Sequence, residues 1–341
     1  MVRISLATGD VCIMPKAIRF NQLGGPEILH IEDLPERQPG PGEVLLKIEV
    51  GLNRAESVYY HGFYFEKPSL PSGLGYEALG KVIAVGPEVD PALIGKRFGT
   101  IPGFSMNQYP VLAEEAVVPA SVLAAVPDSF SAVEGASVWM QYCTAYGALV
   151  TFGGVKPGDF VLITAASSSV GLAAIQIVNA EGAIPIAATR RSNKRDALLA
   201  LGAAQVVATE EEDVGNKVNQ ISGGKGARII FDPIGGPGVE KLMEAAAYHG
   251  IFFVYGSLSL QPTPFPLRSA VMKGLSMRAY SLLELRRDPP LLKTAKQYVF
   301  DRLQDGRFHP KIAKTFPLAQ SVEAYQYLES NQQVGKVVIT V

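Results

Sequence analysis

The sequence predicts an α/β protein in which a doubly wound parallel sheet is inserted into a smaller, β-rich part. Three observations lead there. Residues 160–176 (FVLITAASSSVGLAAIQ) read as a buried strand, a turn of very small residues and a helix that starts at once. Strands alternate with helices from about Ser131 onward, the pattern of a parallel sheet with crossover helices. Before that point the chain holds only short strands and Pro/Gly-rich turns, the pattern of an antiparallel domain.

Taken in order, the first strands lie in KAIRFNQLGGPEILHIEDLP, EVLLKIEVGLN and EALGKVIAVGPEV, with Pro39-Gly40-Pro41-Gly42 as a joint between two of them. A helix is expected over Ser131–Val150, leading through Lys156-Pro157-Gly158-Asp159 into the opening strand. A second strand follows at Ala183–Thr189. ARIIFDPIG comes next with a helix at Val239–Tyr248, then strands in GIFFVYGSL and SMRAYSLLE. Beyond Leu283 the expected elements are a helix at Leu291–Gly306, a strand at Ile312–Phe316, a helix at Ala319–Ser330 and a strand at Lys336–Val341. That tail is expected to rejoin the first part. The domains are therefore drawn as 1–138 with 284–341, and 139–283.

The turn Ala165-x-x-Ser168-x-x-Gly171 departs from the standard dinucleotide fingerprint, because two of its three glycines are replaced. Small residues still permit close approach. The backbone of Ser167, Ser168, Ser169 and Val170 is expected to meet a pyrophosphate at a helix N-terminus, while Gly171 lets the helix sit close to the strand. The plainer alternative is an ordinary strand–turn–helix crossing. At the end of the second strand a free ribose 2′-hydroxyl usually meets Asp or Glu. Here the chain reads Thr189-Arg190-Arg191-Ser192-Asn193-Lys194-Arg195, with no carboxylate before Asp196. Positive charge at a helix start opposes the dipole unless an anion is bound, so Arg190 and Lys194 are assigned to a 2′-phosphate and the cofactor to NADPH. A solvated basic helix start is the alternative. Ligands of such sheets lie at the carboxyl ends of strands, which brings Gly256 and Ser257 towards the nicotinamide half.

With 341 residues the chain has room for two cores. Its 48% hydrophobic and 18% charged residues fit buried parallel layers rather than disorder. A formal net charge of −1 gives no reason to expect nucleic acid or an anionic membrane as partner. No run of eighteen apolar residues is present, and Met1–Asp10 lacks the sustained apolar stretch of a signal peptide. With only Cys12 and Cys143, no disulfide framework is possible, and a cytoplasmic setting is expected.

Several motifs occur together and in order: Gly51-Leu52-Asn53-Arg54-Ala55-Glu56, residues 70–80 (LPSGLGYEALG), Thr144-Ala145-Tyr146 and the ASSSVGLAAIQ turn. Through them the chain resembles the zinc-free, zeta-crystallin-like quinone oxidoreductases of the medium-chain dehydrogenase/reductase superfamily, from about Met14 to Val338. The resemblance implies a Rossmann domain inserted in a GroES-like catalytic domain, with the active site in the cleft. It further implies NADPH-dependent reduction of quinones, enones or enals, by a homodimer. Pairing is expected through the sheet edge near Ser276–Leu282.

Related alcohol dehydrogenases hold catalytic zinc at positions that correspond to Asn53, Tyr76 and Met140 in this chain, and none of these suits a zinc triad. The metal expectation is none. Without a Lewis acid, alkoxide formation is hard at neutral pH, whereas an electrophilic acceptor needs no such help. By resemblance Asn53 lies near the nicotinamide ribose or the acceptor oxygen, and Thr144 beside the nicotinamide. Tyr64 matches the tyrosine acid of enoyl-thioester reductases, with the alternative that it is one wall of an aromatic pocket. Val58 stands where many quinone reductases carry a tyrosine. Lys336 is a further candidate for cofactor contact, and Cys143 reads as a small buried filler. Two other functions stay open: an NADPH-dependent enoyl-thioester, enal or enone reductase, and a catalytically idle NADPH-binding protein.

Overall fold

Near-continuous apolar runs after Phe160 are buried on both faces of a six-stranded parallel sheet. Its strands are β1 (Phe160–Ile163), β2 (Ile184–Thr189), β3 (Gln205–Ala208), β4 (Ala227–Asp232), β5 (Ala246–Val254) and β6 (Ser276–Ala279). They lie in the order β3-β2-β1-β4-β5-β6, each parallel to its neighbours. Winding reverses between β1 and β4, and such a switch point opens a crevice at the carboxyl ends of the two strands. Helix α1 (Ser169–Ala180) follows β1 directly. Leu162, Ile186, Val207, Ile230 and Phe252 share one buried cluster with Val218 and Met243.

The computed structural model describes residues 14–341 and, by backbone alone, Arg3–Ile4 and Val11–Cys12. The leader reading of Met1–Asp10 therefore falls largely outside the described residues. Two units emerge, Met1–Trp139 with Ile312–Val341, and Met140–Lys311. The tail does return to the first unit, but later than expected. Residues 284–311 belong with the parallel sheet because helix Pro289–Gln304 buries Leu292, Ala295, Val299 and Leu303 there. Its Tyr298 sets its ring 4.5 Å from that of Tyr146 and donates to Glu181 at 2.6 Å.

The first unit is built on a seven-stranded sheet whose central strand, Glu43–Gly51, pairs antiparallel with Ala78–Val85, Glu115–Pro119 and the C-terminal Lys336–Thr340. Strand Ile312–Pro317 adds to the last of these in parallel. His30–Asp33, Lys16–Phe20 and Ser72–Gly73 form a separate three-stranded sheet. Val50, Leu79, Ala136 and Val338 meet in one buried cluster, which ties the two ends of the chain together.

Three expectations change, two of helices and one of a strand. Ser131–Val150 is not one helix but Ala132–Gly135, Trp139–Tyr146 and a wider π turn, Gly147–Phe152. The Ser137 hydroxyl donates to the Val133 carbonyl at 2.7 Å, a back-bond that competes with helical pairing. The helix from Val239 stops at Glu244, because Ala246 already pairs with Ala227 in the sheet. β6 ends at Ala279 and the chain turns into a short helix, Leu283–Arg286. No helix among the described residues is long and apolar enough to cross a membrane.

Candidate functional site

The turn after β1 closes tightly without two of the glycines of the standard fingerprint. Ala165 adopts φ +44°, the left-handed region that costs a non-glycine residue about 1–2 kcal/mol. Strain of this kind gathers at functional sites. The Ser168 N–H bonds the Ala165 carbonyl at 2.9 Å, and the Ser168 hydroxyl caps α1 by accepting from the Gly171 N–H at 3.1 Å. Ser169 and Val170 then form the first turn of α1, whose N–H groups a helix start leaves without helical partners. At Gly171 a Cβ would stand 2.7 Å from both the Cα and the carbonyl oxygen of Ala166. Glycine is required there for close approach.

The basic segment reaches this turn. The Lys194 ammonium donates to the Ser167 hydroxyl at 3.0 Å, joining the end of β2 to the end of β1. Arg191 and Arg195 are matched by Glu210 at 3.0 Å and Glu212 at 2.8 Å. Arg190 is exposed and close enough to matter to Lys194, whose pKa is pushed below 10.5 by burial and then by the Arg190 charge. Two neighbouring cations that disfavour each other suit an anion placed between them. These residues fit a nicotinamide dinucleotide: an anion cradle at a helix start beside a cationic pair at the end of β2.

Sequence reading missed the clasp across the switch point. Asp232, at the end of β4, accepts from the Thr164 hydroxyl, from Ile234 N–H at 3.1 Å and from Gly235 N–H at 2.7 Å. Burial pushes its pKa up while those donors pull it down. A carboxylate at the end of a buried strand was the available signal. Gly256 comes next to the same loop, where a Cβ would lie 2.7 Å from the Pro233 carbonyl oxygen, and Ser257 follows it exposed. Thr144 sits on helix Trp139–Tyr146, 7% exposed, its hydroxyl bonded to the Met140 carbonyl at 2.6 Å. Cys143 is fully buried, in keeping with a filler.

In the first unit the predicted residues meet partners that the sequence did not announce. Asn53 precedes helix Arg54–Tyr60, and Glu56 reaches back to accept the Asn53 backbone N–H at 2.8 Å. That is half of a capping box. The Asn53 side chain faces the Glu56 backbone N–H in the other half. Its Oδ1 accepts from the Lys336 ammonium, which also donates to Glu77 at 2.8 Å. Asn53, Glu77 and Lys336 are 4%, 1% and 3% exposed, while the Asn53 Nδ2 has no hydrogen-bond partner. Leaving such a donor buried and unmet costs about 1–3 kcal/mol. Lys336, a candidate for cofactor contact, directs its ammonium to Asn53 and Glu77 in this cluster. Glu56 also accepts from Tyr76 N–H at 2.8 Å and from the Tyr325 hydroxyl, and burial holds its pKa up. Gly75 sets Tyr76 and Glu77 in place. At φ +114° it packs so near Leu112 that a Cβ would come within 2.2 Å of the Leu112 nitrogen.

Tyr64 is half-buried, hydrogen-bonded to Tyr76, and ringed by Tyr59 at 6.3 Å, Phe65 at 4.0 Å and Tyr76 at 6.0 Å. Burial and the Tyr76 hydroxyl push its pKa upward, so it stays protonated across neutral pH. It stands in an aromatic cluster and keeps its phenolic proton.

Zinc chemistry does not fit these residues. Asn53 Oδ1 already faces a buried ammonium, and a second cation beside it would be repelled. Tyr76 is bonded to Tyr64, and Met140 offers only a neutral thioether. Among the described residues no three His, Cys, Asp or Glu side chains are grouped to hold a metal ion.

Residues 40–128 match the family described as alcohol dehydrogenase GroES-like domain, and residues 169–296 the family described as zinc-binding dehydrogenase. A quinone oxidoreductase-like protein 2 homolog from Nematostella vectensis is 30% identical over 329 residues, 95% of this chain and 88% of that one. A quinone oxidoreductase from Pseudomonas aeruginosa is 29% identical over 330 residues, 96% of this chain and 99% of the other. The crystal structure of Escherichia coli quinone oxidoreductase complexed with NADPH superposes with a TM-score of 0.87 at 27% identity, covering 96% and 100% of the two chains. A GroES-like unit, a β3-β2-β1-β4-β5-β6 sheet and these relatives along almost the whole length agree: the chain belongs to the quinone oxidoreductase branch of the medium-chain dehydrogenase/reductase superfamily.

Proposed function

We propose that this oxidoreductase uses NADPH to reduce quinones and works without a metal. The observation that carries the cofactor half is the pairing of Arg190 with Lys194 at the end of β2, with Lys194 anchored on Ser167. When bound, NADPH supplies the hydride from its nicotinamide C4. The protein's share is positioning and exclusion of water. The turn at Ala165–Ser168 and the start of α1 receive the pyrophosphate, and the clasp of Thr164 on Asp232 keeps the ends of β1 and β4 in register. Thr144, Gly256 and Ser257 serve the nicotinamide half. Asn53 and Tyr64 meet the acceptor. A quinone accepts hydride readily and its reduced oxygens are protonated by solvent, so no Lewis acid is needed.

The test is a panel of initial rates of NADPH oxidation with benzoquinones, naphthoquinones, enals, enones and an enoyl-CoA. Quinones should give the highest kcat/KM. An enoyl thioester ahead of every quinone would overturn the reading in favour of alkene reduction, the second reading, which the protonated Tyr64 hydroxyl supports. NADPH bound tightly but oxidised by no acceptor would instead leave an idle binding protein. The reducing setting expected of this chain is the cytoplasm.

The same reading includes a homodimer joined through β6. That strand is at the edge of its sheet, and the preceding helix Leu267–Lys273 leaves Leu267, Val271 and Met272 64%, 71% and 69% exposed. An unpaired edge beside exposed apolar side chains invites a two-fold mate. Ala279→Pro removes a ladder donor and should yield monomers by light scattering. A dimer that survives this change lies elsewhere.

A further inference from the structure

We propose that Lys336, held in place by Glu77, is a positioning residue that locks the Asn53 amide so that its NH2 group is the donor for the carbonyl oxygen of the acceptor. The inference deepens the proposed function and rests on it. An ammonium has donors and no acceptor. The atom of Asn53 that touches Lys336 Nζ must therefore be the amide oxygen, which settles the orientation of a group that otherwise flips freely. Glu77 takes a second proton of the same ammonium at 2.8 Å, so Lys336 is fixed from two sides. What is left over is the Asn53 Nδ2, buried and without a partner in a side chain only 4% exposed.

Asparagine at a helix start ordinarily spends its side chain on the helix N–H groups. Here its oxygen also takes a proton of the buried Lys336 ammonium, while Glu56 accepts the Asn53 backbone N–H. A side chain fixed by a buried cation and left with one unmet donor is arranged for a ligand oxygen. Reduction of a carbonyl acceptor builds negative charge on that oxygen, and a donor already oriented towards it needs no reorganisation as the charge grows. The Lys336 charge, one residue removed, favours the same charge without touching the acceptor.

Two series test this, each read by NADPH affinity, thermal midpoint, hydride transfer in a single turnover and affinity for a non-reducible aromatic ketone. In the first, Asn53→Asp keeps an oxygen for Lys336 but replaces the donor. Hydride transfer should fall by roughly tenfold or more and the ketone should bind more weakly, with NADPH affinity unchanged. The second compares Asn53→Ala, the charge-neutral pair Lys336→Met with Glu77→Gln, and all three together. If Lys336 acts through Asn53, the triple variant is no slower than Asn53→Ala alone. Losses that multiply would show a separate role for Lys336 and overturn the proposal. Should the Lys336→Met pair fail to fold, Asn53→Asp decides alone, and transfer within about twofold of wild type overturns it equally. A wild-type protein that ignores quinones but reduces enones refutes the quinone reading only, since the same series is then read on the enone.

Discussion

The cofactor turn and the Asn53 cluster solve opposite problems. The turn at Ala165–Gly171 is a short stretch of chain that gathers partly exposed backbone donors, with exposed Arg190 and half-buried Lys194 completing it. The Asn53 cluster buries a cation, two carboxylates and an amide almost completely, and all but one of its donors described above is matched. The proposed role of the first is to meet a charged ligand with the Arg190 and Lys194 cations. The proposed role of the second is to meet a neutral acceptor with the one fixed donor of Asn53. Substitutions in the first should therefore change which cofactor binds, and substitutions in the second how fast hydride moves.

The largest effect that would break this contrast lies at the cation pair. Losing one charge-assisted contact costs about 1.5–3 kcal/mol, roughly tenfold to a hundredfold in affinity. Arg190→Ala and Lys194→Ala should each weaken NADPH by that amount and leave NADH nearly unchanged, as measured by fluorescence titration. Equal losses for both cofactors would place the 2′-phosphate elsewhere. The pH dependence has a definite sign. Because burial and Arg190 lower the Lys194 pKa, its charge is lost before that of an ordinary lysine as pH rises. The preference for NADPH over NADH should shrink on the alkaline side accordingly.

A smaller effect is expected at Gly171. A methyl group there meets backbone at 2.7 Å, and an overpacked contact of this kind costs about 1–3 kcal/mol. Gly171→Ala should lower the denaturation midpoint and weaken NADPH and NADH alike, since it displaces the turn and not the cation pair. Loss of NADPH affinity alone would contradict that division.

Smallest of the three is Tyr64→Phe, which keeps the ring and its three aromatic neighbours and removes only the hydroxyl. A general acid is worth about a hundredfold to ten-thousandfold. Quinone turnover should fall by less than about tenfold, because solvent protonates the product, while any enone turnover should fall well beyond that. A large loss on quinones with unchanged NADPH affinity would make Tyr64 the proton donor for the main reaction.

The two sites also differ in how far they could be read from sequence. The strand, the small-residue turn, α1 and the basic segment are local, and spacing along the chain exposed them together with the Rossmann sheet. The Asn53 cluster is assembled by topology: Lys336 lies 259 residues from Glu77 and 283 from Asn53. It comes into reach only because Lys336–Thr340 pairs with Glu43–Gly51. Its one visible trace was a charged residue at the head of an otherwise apolar strand. Helix ends failed for the same reason, since the strand pairing of Ala246 overrode an alanine-rich stretch that propensity favours as helix. The second domain boundary also moved, to Lys311, because what helix Pro289–Gln304 packs against is set by tertiary contact and not by its own pattern.

The reaction proposed for this chain is hydride transfer from NADPH to a quinone with a buried ammonium, and no metal, beside the acceptor-binding amide. The most direct measurement is a single turnover of NADPH against a benzoquinone after exhaustive chelation, with metal content determined on the same sample. The predicted result is an unchanged rate at far less than one zinc per chain. A rate that collapses on chelation and returns with one equivalent of zinc would contradict it.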